Sequence, residues 1–281
     1  MNGLVWLHEP HACVDLVTRL AGLSVAVSAL EWWVARRAYA DDAVLGWPLL
    51  RQRSRLRGDG GVARILGRLF GARGFAALQA ARLLAGLTLM FLFAHPVARP
   101  AALLLATVAA GLTHLRQFGL GVIGGDRMRL CVLGALTLRE LAPDSELATQ
   151  GALWFIAGQC VLAYCTSGVL KWRQSGEWRQ GTALALLFRQ EFMGDVRLAG
   201  WLAAHPAVNR AATWSVLALE IAFPLALLGG VPLAVVFVTG AFLMHLGIGH
   251  FMGLAPFLWA FLASYPAVLF TSAQVRGWLG W

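Results

Sequence analysis

The residues of this chain that could do chemistry are polar side chains placed inside long apolar stretches. Burying such a charge at the centre of a bilayer costs roughly 2.5–3.5 kcal/mol on insertion scales, so each one is a candidate for function. Lys171 is the sharpest candidate, because it is the single lysine beside 22 arginines. An amine can lose its proton when it leaves water, whereas a guanidinium effectively cannot. Lys171 could therefore act as a general base, and the alternative is a lysine whose charge reaches out to the membrane edge.

The remaining polar residues within or beside apolar stretches are Arg19, Arg82, His114, Asp126, Glu220, His245 and His250. Glu220 could pair with Lys171, His245 or Arg82, either as a structural ion pair or as part of a site. His245 is either a hydrogen-bonded structural histidine or a catalytic group. His250 follows it at a spacing that places the two on different helix faces, so a shared metal ion is not expected. The four cysteines also lack the spacing of a metal site.

The elements that must position these side chains are transmembrane helices. The chain is 59% hydrophobic and 13% charged, whereas about a quarter of the residues in soluble domains are charged. Its apolar runs approach the roughly 20 residues that cross a bilayer. We expect an all-α bundle of about eight spans that forms one integral-membrane domain over residues 1–281, with a short interfacial helix near 181–192. The predicted spans are 14–34, 75–93, 100–115, 119–138, 153–170, 211–228, 233–249 and 254–270.

The basic residues predict the topology. Arginines are concentrated between Ala35 and Gly74 and again between Lys171 and Arg210, and loops rich in arginine and lysine stay in the cytoplasm. With eight alternating spans, both termini then lie outside. The net charge of +9 is explained by these loops, so nucleic acid is not expected as a partner. The expected partners are membrane lipid and either a peptide substrate or a partner protein.

Several of these residues lie in motifs that resemble those of a known family. Tyr164, Gly168, Lys171, Trp178 and Gly181-Thr182-Ala183 match the Y-x-x-x-G-x-x-K and W-x-x-G-x-A elements of the HTTM (horizontally transferred transmembrane) domain. That domain is shared with the vitamin K-dependent γ-carboxylases. Gly125-Asp126 resembles the Gly-Asp element of the family, and Glu220 resembles its acid. The stretch from His245 to Phe257 resembles its histidine element.

The resemblance implies a multi-span membrane enzyme of the bacterial inner membrane. In the carboxylases, a reduced naphthoquinone is oxidised by O2, and the strong base formed drives carboxylation of peptide glutamates. By that analogy Lys171 is the base that deprotonates the quinol, and His245 and Glu220 position it. Trp172, Trp178 and Asp126 are then the cofactor-binding candidates. One departure is that no histidine follows Asp126 closely, where the carboxylases have one.

Two functions remain open from the sequence. The first is quinol-linked oxidation or carboxylation of a peptide substrate, with Lys171 as base. The second is a non-catalytic membrane subunit that aids maturation or export of a small peptide, with Lys171 and Glu220 as a structural ion pair. The enzyme hypothesis expects Lys171, Glu220 and His245 to line one apolar cavity of several hundred Å³.

Overall fold

The structure is a computed structural model that describes residues 6–53, 60–117, 124–191 and 194–279. All regular elements in these ranges are helices, so the predicted all-α class is confirmed. The chain divides into two compact units, which we describe separately. Unit 1 comprises Met1–Val14 and Ser145–Trp281, and unit 2 comprises Asp15–Asp144.

Unit 2 is built around α1, α4, α5 and α6, with shorter helical pieces between α1 and α4. Small residues let α1 and α4 approach closely, since a Cβ atom on Gly22 would lie 2.7 Å from the carbonyl oxygen of Gly86. A Cβ atom on Gly86 would meet the carbonyl oxygen of Gly22 at the same distance. Such contacts between small residues are typical of packed membrane helices. The helices are α1 (Pro10–Ala35), a 3₁₀ turn (Arg36–Tyr39), α2 (Trp47–Arg53), α3 (Gly61–Phe70), α4 (Ala72–Phe91), α5 (Ala98–Gln117) and α6 (Gly124–Arg139).

A buried polar network links the helices of unit 2. Arg82 of α4 donates to Gln79 Oε1 at 2.7 Å and to Ser28 Oγ of α1 at 3.1 Å. Gln79 in turn donates to Thr113 Oγ1 of α5 at 3.1 Å. A buried guanidinium needs such acceptors because its desolvation is otherwise uncompensated. Arg82, which the sequence offered as a partner for Glu220, is therefore bonded to neutral side chains of its own unit.

Unit 1 contains the helices that carry Lys171, Glu220 and His245. Helix α7 packs against α11 and α15, and α13 packs against α14 and α15. Ser145 caps the start of α7, because its hydroxyl accepts a hydrogen bond from the amide of Ala148 at 3.2 Å. The helices are α7 (Glu146–Gln174), α8 (Gly176–Gln180), α9 (Ala183–Phe188), α10 (Val196–Ala204), α11 (Pro206–Ala222), α12 (Leu225–Leu228), α13 (Gly230–Met252), α14 (Ala255–Leu262) and α15 (Tyr265–Leu279).

Six helical segments within the described ranges are long and apolar enough to cross a membrane. They are Pro10–Tyr39, Ala72–Phe91, Ala98–Gln117, Glu146–Gln174, Gly230–Met252 and Ala255–Gly277. Each overlaps one of the eight spans predicted from the sequence. These segments are compatible with an integral membrane protein.

The other two predicted spans are not among these six. The span predicted at 119–138 begins outside the described residues, and the described helix α6 has 16 residues, or about 24 Å at 1.5 Å per residue. The span predicted at 211–228 is divided between α11 and α12. Pro224 lies at this break, where it has no N–H to continue the helical hydrogen-bond pattern. The helix expected near 181–192 is present in part, as α9.

Candidate functional site

The candidate site is centred on the ammonium group of Lys171 in α7. Its Nζ atom donates to Glu220 of α11 at 2.5 Å from Oε1 and 2.6 Å from Oε2. It also donates to Ser167 Oγ, one turn earlier in α7, at 3.0 Å. Ser167 Oγ lies 3.2 Å from Glu220 Oε1 and donates to it. Lysine, serine and glutamate thus form a closed triangle of hydrogen bonds between two helices.

Gly168 makes this triangle possible. A Cβ atom at this position would lie 2.8 Å from Glu220 Cβ, 2.8 Å from Ile221 Cγ1 and 2.9 Å from the Ile221 amide nitrogen. Helices α7 and α11 therefore touch nearly backbone to backbone at this point. Because Ser167 and Lys171 are separated by four positions, both project along the same side of α7 toward Glu220.

The two partners differ in their access to the surroundings. The Glu220 side chain is 5% exposed, and that of Lys171 is 28% exposed. The indole ring of Trp178, in α8, covers part of the ammonium group, with its centroid 5.0 Å from Nζ. A cation placed over an indole face is attracted by the ring quadrupole. The Glu220 side chain is therefore shielded, whereas the Lys171 side chain is partly exposed.

A second polar cluster in unit 1 contains His245. Its Nε2 atom lies 2.7 Å from the hydroxyl of Tyr164, and that hydroxyl lies 2.9 Å from the hydroxyl of Tyr265. The imidazole is stacked on Phe261, with ring centroids 4.6 Å apart. Nδ1 of His245 is buried and has no hydrogen-bond partner among the described residues. Tyr164 lies two turns before Lys171, so the same side of α7 serves both clusters.

Unit 1 also contains an apolar cleft of about 450 Å³. It is lined by Trp172 and Arg179, by Trp214 of α11, and by four aliphatic residues of α11: Leu217, Ala218, Ile221 and Ala222. The α11 residues repeat at intervals of three and four, which places them on one face of the helix. Glu220 lies off that face, because it is about 100° of rotation from Ile221.

Comparison with protein-family models found no match, and comparisons with curated proteins and with solved structures found none either. The HTTM resemblance therefore stays a prediction that depends on the sequence motifs.

The structure brings some of the predicted site residues together and leaves others apart. Lys171 and Glu220 are in direct contact, and Trp178 covers the ammonium group. His245 contacts Tyr164 instead of this pair. Asp126 belongs to unit 2, where it accepts a hydrogen bond from Arg129 at 2.6 Å in the first turns of α6. Its predicted role in cofactor binding stays a prediction.

The cleft does not match the cavity that the enzyme hypothesis expected. Its volume lies in the range of small-molecule pockets. Trp172 lines it, but Lys171, Glu220 and His245 are not among its lining residues. The three residues assigned to the chemistry thus do not line this cleft. We therefore assign no quinol-binding geometry to this cleft.

Sequence reasoning assigned no role in the site to Ser167, Tyr164 or Tyr265, although Tyr164 lies in the HTTM-like motif. Ser167 had a usable signal, because a hydroxyl one turn before a buried lysine lies within reach of its amine. The partnership of Tyr164 with His245 and Tyr265 joins three helices, and helix spacing alone contains no information about it. Among the described residues, no group of three or more histidine, cysteine, aspartate and glutamate side chains could hold a metal ion.

The short helix α8 beside the site contains one acidic residue, Glu177. The hydroxyl of Ser175 donates to Glu177 Oε2, and this hydrogen bond lowers the pKa of the Glu177 carboxyl below its ordinary value. Glu177 is therefore ionised at neutral pH, and its negative charge interacts with the guanidinium of Arg179.

Proposed function

We propose that this chain is an HTTM-like membrane protein whose Lys171–Glu220 pair is an acid–base centre, with Lys171 as the base. The observation that supports the proposal most directly is the contact of Lys171 Nζ with both oxygens of a shielded carboxylate, while the lysine side chain remains partly exposed. A base must be reachable by its substrate, and a buried partner can hold and return its proton.

The chemistry of the pair follows from its apolar surroundings. The pair has two states: an ammonium with a carboxylate, and a neutral amine with a carboxylic acid. Desolvation penalises the charged state, so the difference in free energy between the two states becomes smaller. A proton moving from Nζ to Oε1 leaves a neutral amine whose lone pair can accept a proton from a substrate hydroxyl. Ser167 keeps both groups in place, because it accepts from Nζ and donates to Oε1. Glu220 is thus the proton acceptor that activates Lys171.

The substrate class that we propose is a lipid-soluble quinol, with quinol-linked oxidation or carboxylation of a peptide as the overall reaction. This part depends on the HTTM resemblance. A reduced naphthoquinone would give its hydroxyl proton to Lys171, and O2, the oxidant that the resemblance implies, would accept its electrons. His245, whose Nε2 atom is hydrogen-bonded to the Tyr164 hydroxyl, belongs to the same unit. It would position groups through its Nδ1 atom, which has no partner among the described residues.

The test is oxidation of a reduced naphthoquinone by membranes that contain the protein, compared with membranes that lack it. We expect Lys171→Arg and Glu220→Gln to lower the rate about a hundredfold or more, the usual scale for general-base catalysis. Arg197→Gln, which removes an exposed cation in α10, should leave the rate unchanged. An active Lys171→Arg variant would exclude lysine as the base.

The proposal includes a location and a topology. We propose the bacterial cytoplasmic membrane, with α6 and α11 as short additional spans beside the six long segments and with both termini outside. Alkaline-phosphatase fusions at the two termini and after Phe70 test this arrangement. The fusion after Phe70 should be inactive and the terminal fusions should be active, because alkaline phosphatase folds only outside the cytoplasm.

A second candidate is the non-catalytic membrane subunit that aids maturation or export of a small peptide. The observation that favours it is the cleft, whose lining does not include Lys171, Glu220 or His245. The pair would then hold α7 against α11 and nothing more. Exchange of the two residues, Lys171→Glu with Glu220→Lys, separates the candidates. If the pair is structural, the exchanged variant still folds and still supports peptide export. If the pair is an acid–base centre, the exchanged variant loses quinol oxidation.

A further inference from the structure

The apolar cleft in unit 1 has a charged end that the acid–base proposal does not use. Arg179 lines the cleft, and the guanidinium of Arg210 lies 5.9 Å from the ring centroid of Trp214, another lining residue. Both arginines are exposed. Arg210 also borders the turn after α8, since a Cβ atom on Gly181 would lie 2.5 Å from Arg210 Cγ. One guanidinium, that of Arg179, thus lines an otherwise apolar groove, and a second, that of Arg210, lies against a tryptophan that lines it.

Arg179 has donors left for a ligand. Its Nη1 atom donates to the carbonyl oxygens of Trp172 and Arg173, at 2.7 and 3.3 Å, near the end of α7. Among the described residues, the hydrogen bonds of this guanidinium involve only Nη1. A guanidinium has five N–H donors in a planar fork, which suits bidentate contact with phosphate oxygens. The end of α7 therefore fixes Arg179 in place while its other donors stay free.

The rest of the cleft is apolar. Trp172 and Trp214 contribute two indole rings, and Leu217 and Ile221 contribute aliphatic surface. Trp172 is 49% exposed and Trp214 is 47% exposed, so both rings meet whatever surrounds the protein. The Trp214 ring is held by a hydrogen bond from its Nε1 to the carbonyl oxygen of Arg179 at 3.2 Å. Tryptophan beside arginine is typical of the headgroup level of a membrane.

We propose that this cleft binds one anionic phospholipid. Its phosphate would contact the guanidinium groups of Arg179 and Arg210, and an acyl chain would lie along Trp172, Trp214 and Ile221. A lipid fits better than a soluble anion, because the lining beyond the arginines is apolar. An anionic headgroup fits better than a zwitterionic one, because Arg179 and Arg210 carry two positive charges, whereas α8 supplies one negative charge, that of Glu177. This inference does not depend on the acid–base proposal.

The test is native mass spectrometry of the detergent-purified protein with phosphatidylglycerol or phosphatidylcholine. We expect one phosphatidylglycerol to stay bound under activation that removes phosphatidylcholine. Arg179→Gln and Arg210→Gln should each weaken phosphatidylglycerol binding about fivefold, from roughly 1 kcal/mol for each basic residue near an anionic surface. Arg197→Gln is the matched control, since it removes an exposed arginine of the same unit away from the cleft, and it should bind as the wild type does.

Several outcomes would overturn the proposal. Equal retention of both lipids would identify ordinary annular lipid. If inorganic phosphate displaces phosphatidylglycerol from the protein, the cleft is a site for free phosphate and not for a lipid. If both arginine variants bind phosphatidylglycerol as the wild type does, the lipid binds elsewhere. If the purified protein retains the mass of a peptide or a quinone, the cleft belongs to another ligand. Arg179→Gln could fail to fold, because the end of α7 loses hydrogen bonds. In that case the proposal is tested by Arg210→Gln and by the comparison of phosphatidylglycerol with phosphatidylcholine on the wild-type protein.

Discussion

Lys171 and Glu220 are joined by two hydrogen bonds from a single nitrogen, with Nζ 2.5 Å from Oε1 and 2.6 Å from Oε2. Lys171→Met would leave the Glu220 carboxylate buried without a cation. We expect a loss of about 2–3 kcal/mol in the free energy of unfolding, below the 3–5 kcal/mol of fully buried pairs because the lysine is partly exposed. Unfolding in detergent, followed by circular dichroism, measures the difference.

Lys171→Arg is the control for that prediction. A guanidinium still supplies a cation to Glu220, so the expected loss in unfolding free energy is about 1 kcal/mol or less. A loss as large as that of Lys171→Met would mean that the lysine contributes packing and not charge.

The contact of α7 with α11 depends on a missing side chain at Gly168. Gly168→Ala places a Cβ atom within 2.8 Å of Glu220 Cβ. The helices must separate to admit it, at a cost of about 1–3 kcal/mol in the free energy of unfolding. The shift should also lengthen the Lys171–Glu220 hydrogen bonds. Thermal unfolding in detergent measures the effect.

Gly158 in the same helix provides the matched control. A Cβ atom there meets no atom within 4 Å. Gly158→Ala should therefore stabilise α7 by up to about 1 kcal/mol through helix propensity. If both substitutions act alike, the close approach at Gly168 is not a determinant of stability.

The hydroxyl of Tyr164 joins His245 to Tyr265. Tyr164→Phe removes a group that both neighbours use, and it leaves a buried imidazole and a buried phenol without that partner. We expect a loss of about 1–3 kcal/mol in the free energy of unfolding. Tyr265→Phe leaves the contact of Tyr164 with His245 intact, so its cost should be smaller. Denaturant unfolding of both variants measures the two losses. If Tyr265→Phe lowers the free energy of unfolding as much as Tyr164→Phe or more, Tyr164 is not the central member of this hydrogen-bonded chain.

In unit 2, Gln79 connects Arg82 to Thr113. Gln79→Met preserves most of the side-chain volume but removes the oxygen that accepts from Arg82 Nη1. Hydrogen bonds to charged groups contribute about 1.5–3 kcal/mol, so we expect a loss of that size in unfolding free energy. Gln150→Met is the control, because Gln150 donates to Glu146 at the surface and its loss should cost about 0.5 kcal/mol or less. Equal effects in thermal unfolding would argue against a special role for the buried network.

The residues of the Lys171–Glu220 pair could be proposed from the sequence because each stood out by itself. A lone lysine among arginines and an acid within an apolar stretch are visible without knowledge of their neighbours. The sequence left three partners open for Glu220. The choice of Lys171 over His245 and Arg82 depends on how α7 and α11 are rotated and on the close approach at Gly168, which residue spacing within one helix does not encode.

The sequence predicts one cavity lined by Lys171, Glu220 and His245, and this stays a prediction, because the described cleft is a different one. The described cleft is formed by Trp214 and its neighbours on a face of α11 that points away from Glu220. A residue adjacent in sequence lies about 100° around a helix, so Ile221 can line the cleft while Glu220 faces α7. The position of a cavity depends on where helix surfaces fail to meet, and this is a property of the packed bundle.

The sequence by itself determined the all-α class and the apolar segments that could cross a membrane, because hydropathy is a sum over residues of one segment. Tertiary structure alone decided that Ser167 completes the triangle around Lys171, that Tyr164 binds His245, and that the cleft excludes all three predicted catalytic residues. These relationships depend on the rotation and separation of different helices, which are set by packing contacts distant in the chain.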